Sequence, residues 1–412
     1  MSAKEYSVNR ALPEDPIIRS LIQQAKNSQV SRRAMLAGGT GLAAALTLAA
    51  CSPGGGAAEK PKPAKDNSAN DKTLNWANWA AYIDEDDDGN YPTLQRFEEE
   101  TGIKVSYLID VDDNNSFYGK VKDQLALGQD IGADLAVLTD WMVSRVIRFG
   151  YAQEFDQSKI PNMANLVPTL QEPDFDPGRK FSLPWQGGFA GLCWNTEKVP
   201  NGLKNVSDLW DPALKGRVGV LSEMRDTIGL IMLEQGVNIS GDFTSEDFTK
   251  AIDVFREQVE SGQVRNVKGN SYLEDLASED TLAAIVWSGD ISVLNAEAGG
   301  EKWAFAIPET GGTIWNDNFF VPVGSTRKSN AETLMNYYYD PAVAAEVAAW
   351  VNYITPVAGA MEEAAKIDPE LAENQLIFPN EETLATVKLF RTLTGSEEQE
   401  FGTQFQSVLL GV

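Results

Sequence analysis

Two side-chain types that are missing or rare limit the chemistry that this chain could perform. The 412 residues include no histidine and only two cysteines, Cys51 and Cys193. Without histidine the chain cannot build Ser-His or Cys-His nucleophile pairs, and nearly all zinc sites are excluded. Cys193 lies in an apolar run with no base to activate it, so we expect a buried, inert side chain. The sequence therefore predicts no cofactor and no metal site.

A run of small and apolar residues near the N-terminus has the features of an export signal. The pair Arg32-Arg33 precedes the uncharged run 34–50, which is shorter than the roughly 20 residues of a membrane-spanning helix. Twin arginines before such a run are typical of Tat export signals, and the letters LAAC at 48–51 resemble the bacterial lipobox. We therefore predict a Tat-type lipoprotein signal peptide at 1–50 and a lipidated Cys51. The alternative is an uncleaved anchor helix that ends by chance at a cysteine.

The segment that follows, 51–72, is rich in glycine, alanine, proline and lysine and has no large apolar side chain. Such a composition cannot form a core, so we predict a flexible linker after Cys51. The predicted location is exported, anchored to the outer face of the cytoplasmic membrane on its periplasmic or cell-surface side. A protein tethered there is suited to the capture of a dissolved solute.

The chain is strongly acidic, with 34 basic and 60 acidic residues and a net charge of −26. This balance argues against a nucleic-acid surface, which needs clustered lysine and arginine. The same charge would attract a small cationic molecule over a long range. The alternative, which we favour for most of the charge, is an acidic surface that only maintains solubility.

The elements that must position any site alternate between strand and helix along residues 73–412. Apolar residues alternate from Ile103 to Ile109, as in a half-buried strand, and 133–138 is predicted to be a buried strand. Short strands separated by helices predict parallel sheets with crossover helices. In such sheets ligands bind at the carboxyl ends of the strands.

The same pattern predicts two domains, for which the chain is long enough. The alternation of strand and helix restarts after the stretch 184–188 with an apolar segment at 189–194, which indicates a crossing into a second domain. Later apolar segments at 303–307 and 319–323 indicate that the chain returns to the first domain. The predicted boundaries are 73–184 plus 305–327 for lobe 1, and 187–302 plus 330–412 for lobe 2.

Several short motifs, in their order and spacing, resemble the spermidine/putrescine-binding family of periplasmic binding proteins. They are NWAAY at 78–82, ADLAV at 133–137 followed by 139–141, DLW at 208–210, KG at 215–216, RD at 225–226, WSGD at 287–290, Asp317, and DPAVA at 340–344. Each motif is weak alone, but together they cover essentially residues 73–412. The resemblance implies an α/β, two-lobed periplasmic-binding-protein fold of type II. Each lobe would be a mostly parallel sheet flanked by helices, with the ligand in the cleft.

A polyamine site needs carboxylates to pair with ammonium groups, and apolar or aromatic walls along the methylene chain. The resemblance assigns residues of this sequence to both roles. The implied walls are Trp79, Tyr82, Trp141, Tyr272 and Trp287; the implied anchors are Glu223, Asp226, Asp290 and Asp317; and Thr139 is an implied hydrogen-bonding neighbour. Of these, the resemblance points most directly to Trp79, Asp290 and Asp317.

Each assignment has an alternative that involves no ligand. Trp79 and Tyr82 are also what a core would contain at the end of a strand, and Asp290 is a suitable helix N-cap for the residues that follow. The chain also departs from the family pattern. Ala80 stands where a hydroxyl residue is frequent, Glu223 where spermidine binders tend to carry aspartate, and Trp141 where tyrosine is common. These departures leave the cation site intact and leave the preferred polyamine open.

The resemblance implies the solute-binding component of an ABC importer, a monomer that binds spermidine or putrescine and catalyses no reaction. Its implied partners are the polyamine, an ABC permease and its ATPase subunits, with the membrane contacted through Cys51 and no nucleic acid. A sugar or another small cationic amine is an alternative ligand. A secreted glycoside hydrolase that uses two carboxylates is an alternative of another class.

Overall fold

The computed structural model describes residues 60–86 and 88–411. The predicted signal peptide and Cys51 lie outside the described residues. The strands are β1 (Thr73–Trp79), β2 (Lys104–Val111), β3 (Leu135–Thr139), β4 (Leu183–Asn195), β5 (Val218–Leu221), β6 (Val264–Lys268), β7 (Ala283–Trp287), β8 (Trp303–Ala306), β9 (Gly312–Phe320) and β10 (Val387–Leu389).

The helices lie between these strands and after the last long one. They are α1 (Pro92–Thr101), α2 (Asn114–Ala126), α3 (Asp140–Phe149), α4 (Met224–Glu234), α5 (Ser245–Glu260), α6 (Tyr272–Ala277), α7 (Asp290–Ala298), α8 (Lys328–Tyr338), α9 (Pro341–Val351), α10 (Ala360–Ile367), α11 (Pro369–Glu373), α12 (Glu381–Ala385) and α13 (Gly395–Leu410). Within the described ranges, no helix has both the length and the apolar character that crossing a membrane requires.

The strands pair in the order β2-β1-β3-β9-β4-β7-β5-β6, with β10 beside β9 and β8 beside β4. β1 pairs in parallel with β2 and β3, and β5 pairs in parallel with β6 and β7. The long strands β4 and β9 run antiparallel to each other and to the group on either side. We call β2-β1-β3 and the helices packed on it lobe 1, and β7-β5-β6 and its helices lobe 2. The predicted α/β fold with two mostly parallel groups is thus present.

Burial explains why the parallel strands read as apolar runs in the sequence. β7 is buried along its whole length, and β3 along all but its last residue, as expected for strands covered on both faces. Side-chain caps fix the starts of some helices: Asp113 accepts the Ser116 N–H before α2, and Thr244 forms a capping box with Asp247 before α5. The two caps thus determine the residues at which α2 and α5 begin.

Two sets of contacts distribute the C-terminal helices between the lobes. Tyr338 of α8 packs on Trp76 of β1, with ring centroids 5.5 Å apart, so α8 lies with lobe 1. Phe401 of α13 stacks on Phe248 of α5 at 4.0 Å, so α13 lies with lobe 2. The sequence predicted all of 330–412 in lobe 2, which differs from the position of α8. The order of helices along the chain does not reveal where each helix packs. The predicted lobe boundaries stay a prediction.

The predicted linker differs from the structure in its second part. Ala64 donates its N–H to the Val323 carbonyl at 2.9 Å, and Ser68 is only 2% exposed. Asp71 forms an ion pair with Arg327 at 2.8 Å. The flexible linker predicted for 51–72 is therefore wrong for 60–72, which is packed on lobe 1. Polar side chains and backbone groups hold this segment, and composition alone does not reveal them.

We expect Arg327→Ala to lower the free energy of unfolding by about 2 kcal/mol, because it leaves a buried carboxylate without its cation. Asp134 is 2% exposed and lies 3.0 Å from the Arg327 guanidinium. Urea unfolding measures the effect. The matched control is Arg256→Ala, which breaks an exposed pair with Asp253 and should cost less than about 1 kcal/mol. Equal losses in the two variants would contradict this account.

The chain also differs from prediction where it crosses between the lobes. The sequence predicted a new strand from Phe189, whereas β4 runs without a break from Leu183. Its glycines make room for aromatic neighbours, since a Cβ on Gly188 would overlap the rings of Trp315 and Tyr353. The predicted strand at 319–323 in fact begins at Gly312. That earlier start brings Trp315 and Asp317 into the sheet.

Candidate functional site

A cavity of about 1240 Å³, including space open to solvent, lies between the two lobes. Trp79, Thr139 and Trp287 are the last residues of β1, β3 and β7, so they meet at the carboxyl ends of parallel strands. Nine of the ten predicted site residues line the cavity, namely Trp79, Tyr82, Thr139, Trp141, Glu223, Asp226, Trp287, Asp290 and Asp317. Tyr272 lies behind this surface.

Asp317 is a buried carboxylate with one unused oxygen. It lies on β9 directly opposite Thr139 of β3 and is 4% exposed. The Tyr82 hydroxyl donates to its Oδ2 at 2.9 Å, while its Oδ1 has no hydrogen-bond partner among the described residues. The pKa of Asp317 is raised to about 7, mainly by burial and also by the charges of Asp140 and Glu223, while the hydroxyls of Thr139 and Tyr82 oppose the shift. The group is therefore arranged to accept a cation.

Glu223 is a second such carboxylate, from lobe 2. It precedes the first turn of α4, and Asn114 of lobe 1 donates to its Oε2 at 3.1 Å. Its Oε1 is buried and accepts no hydrogen bond from the part of the chain that the structure describes. Burial raises the pKa of Glu223 to about 7, and the nearby Arg225 opposes this shift. Glu223 of lobe 2 and Asp317 of β9 thus line one cavity, and each presents an unused acceptor there.

Asp290 is held by two phenols rather than acting as a helix cap. Gly289 occupies the N-cap position of α7, and Asp290 is the first residue of the helix. Tyr353 donates to Oδ1 of Asp290 at 2.8 Å and Tyr272 donates to Oδ2. Burial raises the pKa of Asp290 to about 6. Tyr272 therefore contributes by orienting Asp290 from behind.

Asp226 has both of its carboxylate oxygens engaged by neighbouring side chains. Its Oδ2 accepts the Trp287 indole N–H at 2.9 Å and its Oδ1 accepts the Thr313 hydroxyl at 2.6 Å. Burial raises the pKa of Asp226 above its ordinary value. Its evident role is to fix the plane of the Trp287 ring, which forms part of the cavity wall.

Aromatic rings surround the carboxylates. Trp79 lies edge-on to Trp287 with centroids 6.0 Å apart, and Trp287 lies 6.4 Å from Trp315. Tyr353 continues this wall, at 5.4 Å from both Trp315 and Tyr82. The Trp79 indole donates to the Val137 carbonyl at 3.1 Å, which fixes its ring. Such walls suit a ligand with an apolar stem and cationic ends.

Trp141 contributes to the cavity differently from the other aromatic residues. It lines the cavity, but the Arg225 guanidinium lies 4.1 Å from its ring centroid, and that of Arg145 lies 5.0 Å away. The cations that its ring attracts thus belong to the protein.

The sequence did not reveal many residues of the cavity, among them Asn114, Thr313, Trp315 and Tyr353. Trp315 had a usable signal, because it lies two residues before Asp317 and alternate residues of a strand share a face. The predicted strand began too late to use it. Tyr353 follows α9 in a loop, where no pattern of the sequence marks it. In the described part of the chain, no cluster of carboxylate or cysteine side chains could hold a metal ion.

Comparisons with known proteins agree with this arrangement. The profile of the bacterial extracellular solute-binding protein family matches residues 93–378. The spermidine/putrescine-binding periplasmic protein of Escherichia coli (strain K12) is 28% identical over 316 residues, which cover 76% of this chain and 84% of that protein. The putrescine-binding periplasmic protein of the same strain is 30% identical over 342 residues, covering 78% and 87%.

Solved structures show the same two-lobed fold. A Listeria monocytogenes protein attributed to a spermidine/putrescine ABC transporter superposes with a TM-score of 0.71 at 25% identity, over 83% of this chain and 100% of that one. A lipoprotein of Treponema pallidum superposes with a TM-score of 0.68 at 22% identity, over 82% and 99%. The chain therefore belongs to the bacterial extracellular solute-binding proteins and, among these, to the family of the spermidine/putrescine-binding periplasmic proteins that its motifs resemble.

Proposed function

We propose that the protein is the solute-binding component of an ABC importer and binds a polyamine, spermidine or putrescine, in the cavity between its lobes. One observation supports this most strongly: Asp317 and Glu223 are buried, and within residues 60–86 and 88–411 each has a carboxylate oxygen without a hydrogen-bond partner. A buried negative charge without a counter-charge is costly, and ammonium groups would remove that cost. The aromatic wall would cover the methylene chain of the ligand.

A sugar fits this cavity less well. Its hydroxyls would hydrogen-bond to the carboxylates but would leave their charge uncompensated. Another small cationic amine uses the same chemistry as a polyamine, so only direct titration separates them. A glycoside hydrolase needs a carboxylic acid and a carboxylate flanking one bond. The relatives found are solute-binding proteins, and we propose that this chain likewise catalyses no reaction, which an assay with aryl glycosides checks.

The proposed location and partners follow from the same role. The relatives in Escherichia coli are periplasmic proteins, and we infer export through residues 1–50 and anchoring through a lipid on Cys51. The protein would act as a monomer with a permease and its ATPase subunits. Labelling of cells with a radioactive fatty acid tests the anchor: Cys51→Ser should abolish the label, and retained label would exclude lipidation at this residue.

Isothermal titration calorimetry tests the ligand. The purified full-length protein carrying Cys51→Ser would be titrated with spermidine, putrescine, a neutral disaccharide and a zwitterionic amino acid. We expect salt-sensitive binding of one or both polyamines and no heat with the other two solutes. No heat with either polyamine, in a protein that unfolds cooperatively, would remove the polyamine from the proposal.

Tyr272→Phe should weaken polyamine binding about fivefold, the value of one hydrogen bond of about 1 kcal/mol. The phenol donates to Asp290 without lining the cavity, so its loss acts through the orientation and charge of that carboxylate. Tyr337→Phe is the control, since its hydroxyl bonds to the Thr93 carbonyl away from the cavity. Equal affinities of wild type and Tyr272→Phe would show that Asp290 does not depend on this phenol.

A further inference from the structure

A cluster of ion pairs joins the lobes outside the cavity. Glu398 of α13 lies 2.9 Å from the Arg148 guanidinium and 3.4 Å from that of Arg145, both on α3. α3 packs on β3 and β9, whereas α13 packs on α5, so these pairs run from lobe 1 to lobe 2. The Glu398 side chain is only 10% exposed. An ion pair with this degree of burial is screened less by salt than a surface pair.

A cation–π contact crosses the same boundary. Arg225 belongs to α4 of lobe 2, and its guanidinium lies 4.1 Å from the ring centroid of Trp141 on α3 of lobe 1. Arg225 also lies 3.6 Å from Glu398. Glu398 therefore neutralises charge from both lobes, and the Trp141 ring lies among these cations.

A backbone contact joins the lobes at a second place. The Asp112 carbonyl, just after β2, accepts the Asn270 N–H at 3.1 Å. The Asp112 carboxylate accepts the Ser271 N–H at 3.0 Å. This approach requires glycine at position 269, because a Cβ there would overlap the Asp112 carbonyl oxygen. The φ angle of Gly269 lies outside the positive region, so alanine is excluded by the neighbouring lobe and not by its own backbone.

We propose that these two closure contacts, the Glu398 cluster and the Asp112–Gly269 contact, hold the lobes together and thereby set how long a ligand stays bound. An interaction present only in the closed state raises the closed population and so the apparent affinity. Glu398 and Gly269 do not line the cavity. They are positioning residues, and their effect on binding is separable from direct ligand contact. The inference rests on the proposed binding function.

The test compares Glu398→Gln and Gly269→Ala with wild type in the full-length protein carrying Cys51→Ser. We expect each variant to bind the preferred polyamine about tenfold more weakly, mainly through faster dissociation. Small-angle X-ray scattering should show a larger radius of gyration for the variants at equal polyamine concentration. The urea midpoint of ligand-free Gly269→Ala should stay unchanged, which a merely structural role would not allow. Glu398→Gln also removes the counter-charge of Arg225 within lobe 2, so its test is the dissociation rate and the scattering rather than the stability.

Two matched control variants leave both closure contacts intact. Glu346→Gln breaks a bidentate pair with Arg96 between α1 and α9, and Gly119→Ala adds a methyl group on α2 with no atom within 4 Å. Both should bind like wild type. The wild-type titration tests the proposed function, whereas the ratio of variant to wild type tests closure. Wild-type affinity and dissociation rate in both Glu398→Gln and Gly269→Ala would overturn the inference.

Discussion

Asp317→Asn is expected to weaken polyamine binding at least a hundredfold, a loss of about 3 kcal/mol. The carboxylate is buried, its Oδ1 has no hydrogen-bond partner in the described structure, and Tyr82 donates to the other oxygen. An amide keeps the shape but supplies no charge, so the ligand's ammonium group would be buried without a counter-ion. Calorimetric titration at pH 8 measures the change. Asp253→Asn, at an exposed pair with Arg256, is the matched control and should bind like wild type.

The same substitution should leave the ligand-free protein at least as stable as wild type. Burial raises the pKa of Asp317 to about 7 from an ordinary value of 3.8, so the folded state binds this proton more tightly than the unfolded state. Protonated Asp317 therefore stabilises the folded state fully below about pH 4, and this stabilisation is lost as the pH rises from about 4 through 7. Asparagine does not titrate, so the free energy of unfolding of the variant lacks this decline with pH. A variant that lost both binding and stability would instead indicate a structural role for Asp317.

Polyamine affinity should fall about a hundredfold between pH 8 and pH 6, because two anchors must lose protons before they can pair with the ligand. Burial raises the pKa of both Asp317 and Glu223 to about 7. Each is about nine-tenths protonated at pH 6, which costs roughly tenfold in affinity. The ligand's amines keep their charge over this range, since such groups titrate near pH 10, as lysine does.

Calorimetry in two buffers with different protonation enthalpies checks this prediction by counting the protons released on binding. Ligand binding should release about one proton near pH 7 and almost none at pH 9. Glu223→Gln should reduce the change in affinity between pH 8 and pH 6 to about tenfold, because one titrating anchor remains. A constant affinity from pH 6 to pH 8, without proton release, would show that these carboxylates are ionised before the ligand binds.

The sequence by itself determined the family, the alternation of strands and helices, and the position of most of the cavity. Trp79, Thr139 and Trp287 end three parallel strands, and in a parallel sheet the carboxyl ends of the strands meet at one edge. Local pattern was sufficient for them because each position depends only on where its own strand ends. The motifs of the family supplied the carboxylates at the same edge.

Only the tertiary structure decided what each side chain does there. Tyr82 and Asp317 are 235 residues apart and share a hydrogen bond, and no local signal predicts such a pair. The same holds for Tyr272 behind Asp290, and for Glu398, which lies 250 residues from Arg148. Burial sets whether a carboxylate is paired or free, and burial depends on packing between distant segments. For that reason the residue types at the site followed from the sequence, while their charges, partners and closure contacts required the fold.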